Sequence, residues 1–172
     1  GRQGMGAAGA SSSAVVAYGG SNTIALTEVF NGSSWTEVNN MNTARATMGN
    51  AGISTAALTF GGATTAGVAL AESWNGTEVA DLNTARTTLA GAGSQTSALA
   101  FAGGAATGTV AITESWNGTG WTEVADMATA RVNLGGAGTT GGAALGISGT
   151  PSIASTEEFT VSTFTTKTFD TD

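Results

Sequence analysis

The sequence predicts an all-β fold in which four successive units, each of four short antiparallel strands, are arranged as the blades of a propeller. Three observations predict it. The stretch TESWNGTGWTEVADMATAR, from Thr113 to Arg131, recurs as TEVFNGSSWTEVNNMNTAR from Thr27 to Arg45, and in shortened form as AESWNGTEVADLNTAR from Ala71 to Arg86. Arg2, Arg45, Arg86 and Arg131 stand at steps of 43, 41 and 45 residues, and a last unit of 42 residues runs from Arg131 to Asp172. Short apolar runs alternate with turn residues throughout, with a single proline and no helical apolar period. A four-strand unit of about 40–50 residues is the signature of a propeller blade. The units are 2–44, 45–85, 86–130 and 131–172, which together make one repeat domain.

The third unit shows the elements in order. TTLAGAG (87–93) is followed by SALAFAGG (97–104), VAITESWN (110–117) and WTEVAD (121–126). First strands such as RATMGNAG and RVNLGGAG carry almost only small residues, which suits the crowded centre of a radial assembly, so they are placed innermost. Second strands alternate small residues with Val16/Tyr18, Leu58/Phe60, Leu99/Phe101 and Leu145/Ile147. Gly19-Gly20, Gly61-Gly62 and Gly103-Gly104 follow, where a turn or close backbone approach excludes side chains.

Third strands place one glutamate on the face that carries large apolar residues, because alternate side chains point the same way. The sets are Ile24, Leu26, Glu28 and Phe30; Val68, Leu70, Glu72 and Trp74; Val110, Ile112, Glu114 and Trp116; and Ile153, Ser155, Glu157 and Phe159. Asn31-Gly32, Asn75-Gly76 and Asn117-Gly118 then read as type I′ turns into the fourth strands, since that turn needs φ > 0 at both central residues. The same triplets match the N-glycosylation sequon, but recurrence at one repeat position favours the turn.

A lone buried carboxylate is costly unless paired and hydrogen-bonded. One glutamate and one arginine per unit therefore predict structural ion pairs among Glu28, Glu72, Glu114 and Glu157 and Arg2, Arg45, Arg86 and Arg131, formed within a blade or across to its neighbour.

Composition narrows the function. Of 172 residues 41% are apolar, which opposes disorder, and 27 are glycine. A net charge of −7 with five basic residues leaves no footprint for nucleic acid or an anionic membrane. No apolar run reaches membrane-span length, and there is no signal-peptide pattern. The absence of histidine and cysteine removes the commonest general base, soft metal ligands and thiol nucleophiles. The carboxylate pairs Glu157-Glu158 and Asp170/Asp172 lie in the last unit, and Lys167 reads as surface charge. GAGSQTSALAFAGG lacks the Lys-Ser/Thr of a phosphate-binding loop. The expectation is a protein that is not an enzyme and has no cofactor, metal or catalytic residue. Exposed aromatics for a glycan would come from Trp35 and Trp121 on the outer strands, residues whose recurrence also fits packing between blades.

The units resemble kelch repeats. The resemblance rests on a strand ending in double glycine, a Glu-aromatic strand, an outer strand with tryptophan and an arginine opening the next unit, as in ALTFGG…AESWNG…EVADLNTAR and AVVAYGG…TEVFNGSSWTEVNNMNTAR. It covers essentially the whole chain and is similar, more narrowly, to Thr/Gly/Ala-rich kelch-like repeats of tail-associated and other virion proteins of marine bacteriophages. The second unit departs by lacking the outer tryptophan, and the fourth by GISG (146–149) and FTVSTF (159–164). Because terminal repeats are atypical, the fourth unit is expected to end the natural protein, and Gly1 in place of Met fits a processed product, an engineered start or the end of a longer protein. Kelch propellers usually have more than four blades, so the ring is expected either to close alone or to form part of a larger one. The resemblance implies a structural or display module of a virion, located on the particle or outside the cell. Its implied partners are other virion proteins or a second copy. The alternative is a recognition propeller that binds a surface glycan or a protein through one rim.

Overall fold

The computed structural model describes residues 1–12, 14–20, 22–74, 76–151 and 154–160, and the backbone of 163–167. It is all-β, a four-bladed propeller. Blade 1 holds β1 (Gly6–Ser11), β2 (Ala14–Tyr18), β3 (Thr27–Phe30) and β4 (Trp35–Glu37), and blade 2 holds β5 (Gly49–Ile53), β6 (Ala56–Phe60), β7 (Ala71–Ser73) and β8 (Glu78–Val79). Blade 3 holds β9 (Ala90–Gly93) and β10 (Ala98–Phe101), then a small separate hairpin of β11 (Gly104–Ala105) and β12 (Gly108–Thr109), then β13 (Thr113–Trp116) and β14 (Trp121–Glu123). Blade 4 holds β15 (Gly135–Thr140), β16 (Ala143–Ile147), β17 (Thr156–Thr160) and β18 (Thr163–Lys167). Every pairing is antiparallel and joins strands consecutive in the chain, except that β10 pairs with β13 across the small hairpin.

Each inner strand begins four residues after an arginine, and β1, β5, β9 and β15 surround a hollow of about 240 Å³ lined by alanine, glycine and Asn50. Small residues are required there. A Cβ at Gly91 would run into the Asn50 carbonyl, and one at Gly136 into the Gly91 carbonyl. Three clusters join the blades. Val16 and Tyr18 pack on Met48 and Ala57; Leu58 and Phe60 on Leu89, Ala98 and Trp116; Leu99 and Phe101 on Leu134, Ala144 and Phe159. In each, the large side chains of one second strand pack on an alanine and a larger apolar residue beyond it in the chain. Burial of a side chain of this size contributes roughly 1.5–3 kcal/mol.

Two backbone devices run beside these clusters. Gly4, Thr47, Thr88 and Asn133, each two residues past an arginine, all adopt left-handed φ of 53–61°. That lets the N–H of Thr47 donate to the Gly4 carbonyl at 2.7 Å, Thr88 to Thr47 at 2.9 Å and Asn133 to Thr88 at 3.0 Å. In the second device, Gly20, Gly62 and Gly103 donate to the carbonyls of Arg45, Arg86 and Arg131 in the next blade, at 2.8–3.1 Å.

The structure corrects four readings of the sequence. Third strands start later than the apolar pattern implied: Ile24, Leu26, Val68, Leu70, Val110, Ile112 and Ser155 precede them, because this stretch bonds back to the glycine-rich corner, as Val110 N–H does to Gly103. The pairs Asn31-Gly32 and Asn117-Gly118 are not type I′ turns. Gly32 and Gly118 have φ of 100° and 95°, but Asn31 and Asn117 stay at negative φ and act through their side chains. Asn117 Oδ1 accepts the N–H of Thr119 and Gly120, and Asn31 Oδ1 that of Ser33 and Ser34, closing a four-residue loop between paired aromatics. Leu145 and Ile147 keep their register but are not buried as their counterparts are. The hairpin of β11 and β12 was not anticipated. Asn75, Ile153, Asp170, Asp172 and the side chain of Lys167 lie outside the described residues.

Candidate functional site

The repeated charges form one station per blade. Arg45 Nη1 donates to Glu72 Oε1 at 2.5 Å, Arg86 Nη2 to Glu114 Oε1 at 2.8 Å and Arg131 Nη2 to Glu157 Oε1 at 2.6 Å. Arg2 and Glu28 form the same pair in blade 1. All four are within a blade rather than between blades. The other guanidinium nitrogen ties the ends of the second and third strands together: Arg86 Nη1 donates to the carbonyls of Ala102 and Ile112, Arg131 Nη1 to those of Ser148 and Ser155, and Arg2 Nη1 to those of Gly19 and Leu26. Burial pulls the pKa of Arg45 and Arg86 down, opposed by the charges of Glu72 and Glu114.

The second carboxylate oxygen reaches the preceding blade. Glu72 Oε2 accepts the N–H of Asn42, Glu114 Oε2 that of Asn83 and Glu157 Oε2 that of Ala128, each at 2.6 Å. Each donor stands three residues before an arginine. Reading by residue type misses these positions, because the bond is made by backbone and the side chain varies between Asn and Ala. Glu28 has no such donor among the described residues.

The two outer-strand tryptophans diverge. Trp121 is 8% exposed, with its ring centroid 5.0 Å from Phe60 of blade 2 and 5.4 Å from Trp116. It is buried packing and offers no face to a ligand, which corrects its reading as a surface-binding candidate. Trp35 is 51% exposed and lies 5.2 Å from Phe30 in its own blade. The two tryptophans named as one candidate site are therefore not equivalent.

Neither a scan against protein-family models nor a search of curated proteins finds a match for the chain. No group of three metal-ligating carboxylates occurs among the described residues. In blades 2 to 4 the stations tie one blade to the next, and each carboxylate is held by a guanidinium and a backbone N–H, whereas Glu28 of blade 1 is held by Arg2. That arrangement positions charge without leaving it free for proton transfer.

Met5, Leu26 and Trp35 of blade 1 are 42%, 37% and 51% exposed, and Ile147 of blade 4 is 40% exposed. These four make up most of the large exposed apolar side chains among the described residues; Ile53, at the tip of β5, is the other.

Proposed function

We propose that the chain is a non-enzymatic structural or display module, a kelch-like propeller of a phage virion carried on a fibre, tail or decoration protein. The observation that carries this reading is that the glutamate of each station in blades 2 to 4 is buried and held by both an arginine and a backbone N–H. In blades 2 to 4 the residues best suited to chemistry are buried and bonded, and what remains outside is largely Ala, Gly, Ser and Thr. The resemblance of the repeats to virion proteins supports the narrower part. Antibodies raised against the chain should decorate intact particles from its source in immunogold microscopy. Confinement of the chain to the soluble host fraction would overturn the proposal.

The recognition alternative is favoured by one observation, the Trp35 ring beside Phe30 on an exposed face. A glycan array separates the two readings. Saturable binding lost in Trp35→Ala would make the chain a receptor-binding propeller, whereas the structural reading expects no specific glycan.

A further inference from the structure

We propose that the Asn31-Gly32 and Asn117-Gly118 loops are self-modifying sites, at which the fold promotes conversion of the asparagine to an acid by water. In this reaction the glycine nitrogen loses its proton to base and attacks Cγ of the preceding side chain. The bond from Cγ to the amide nitrogen breaks, ammonia leaves and a cyclic imide remains. Water then opens the ring to an aspartyl or isoaspartyl residue, and no oxidant or reductant is needed.

Both loops are exposed, and each prepares the side-chain carbonyl for attack. Asn117 Oδ1 accepts the Thr119 N–H at 2.9 Å, the Thr119 hydroxyl at 2.8 Å and the Gly120 N–H at 3.0 Å. Asn31 Oδ1 accepts the Ser33 N–H at 3.0 Å, the Ser33 hydroxyl at 3.1 Å and the Ser34 N–H at 3.0 Å. Negative charge develops on this oxygen as the nitrogen attacks, so the donors stand where the tetrahedral intermediate needs them. An oxygen held by N–H groups two and three residues ahead also folds the side chain back along its own peptide, toward the glycine nitrogen. Gly32 and Gly118 N–H have no partner among the described residues, so their deprotonation breaks no hydrogen bond. Glycine adds no side chain to obstruct the approach.

Blade 2 supplies the contrast with the same dipeptide, Asn75-Gly76. There the Gly76 N–H donates to the Ser73 carbonyl at 2.9 Å, and the Gly76 carbonyl accepts Asn42 Nδ2 of blade 1 at 2.7 Å. The Gly76 nitrogen must give up a hydrogen bond before it can attack. The fold thus separates three pairs that the sequence spells alike. The acid also suits the loops of blades 1 and 3. An aspartate keeps the oxygen that the donors hold and strengthens each bond with its charge. Two conversions take the formal charge from −7 to −9, so the chain grows more acidic with age.

The test is to hold the folded protein at mildly alkaline pH, then digest it and follow each Asn-Gly peptide by mass spectrometry. Asn31 and Asn117 should convert at least several-fold faster than Asn75. In concentrated urea, where the donors are lost, both should slow and the three rates should converge. Thr119→Val removes the hydroxyl donor but keeps the N–H and the branched shape. It should slow Asn117 several-fold with Asn31 unchanged, and Thr119→Ser should restore the rate. Isoelectric focusing of the aged, folded chain should resolve two successive acidic shifts. Equal rates at the three pairs in the folded chain, or a parental rate at Asn117 in Thr119→Val, would overturn the proposal. So would faster conversion of Asn117 in urea than in the folded protein, which would mean that the loop shields its asparagine.

Discussion

Blades 1 and 3 are spelled almost alike, yet the same residues live in different surroundings. TESW and TEVF form the third strands, Trp121 and Trp35 open the fourth, and Arg86–Glu114 and Arg2–Glu28 form the stations. In blade 3 both station side chains are fully buried; in blade 1 they are 13% and 35% exposed. The local fold is identical in kind, so the difference comes from what stands next door. Blade 3 is received by blade 2, whereas among the described residues no backbone donor receives Glu28 of blade 1. Repeat sequence specifies the blade, and the neighbour specifies its burial, as expected for quasi-one-dimensional repeat proteins.

The comparison can be broken most forcefully at the stations. Arg86→Ala leaves Glu114 buried and unpaired and should cost about 3–5 kcal/mol, whereas Arg2→Ala, beside a third-exposed carboxylate, should cost about 0–1 kcal/mol. Thermal melts of both at low concentration, where any association is absent, give the ranking; equal losses would mean that burial does not separate the two blades. Next come the tryptophans. Trp121→Ala removes a ring packed against Phe60 and Trp116 and should cost about 3 kcal/mol, while Trp35→Ala should change the melt of dilute protein by less than about 1 kcal/mol.

A milder change sharpens the same contrast. Glu72→Gln keeps shape and some hydrogen bonding beside Arg45, so about 1–3 kcal/mol is expected by chemical denaturation, less than for Arg86→Ala. The smallest effect is purely local. Gly32→Val and Gly118→Val each force a β-branched residue to φ near 100°, costing roughly 1 kcal/mol or somewhat more. Because this strain ignores neighbours, the two variants should lose equally. A large inequality would show that the loop, too, feels the adjoining blade.

Much of this was legible in the residues. The arginine steps and the double glycines marked the blades, and a matched count of buried-face glutamates and arginines pointed to the pairs. The turn at Asn117 was legible as a turn but not as a type. The pair Asn-Gly suits a type I′ turn and a side-chain-closed loop alike, and the four-residue spacing between Trp116 and Trp121 selects the second. The late start of β13 was hidden because Val110 and Ile112 continue the alternating pattern while their backbone has already left the sheet. The unequal fates of Trp35 and Trp121 could not be read locally at all. They depend on a surface that comes from another blade, and for blade 1 no residue of the repeat says whether that surface exists.

The backbone donors at residues 42, 83 and 128 have one more consequence. A clasp made by a main-chain amide cannot be removed by changing the side chain that happens to sit there, and these positions already hold Asn, Asn and Ala. Only proline deletes it. Units joined this way are free to wander in spelling while keeping their grip on one another, much as links of one gauge stay compatible whatever their finish. A lineage of such units can diverge far in sequence, or lose a tryptophan as blade 2 has, and still assemble into the same arc.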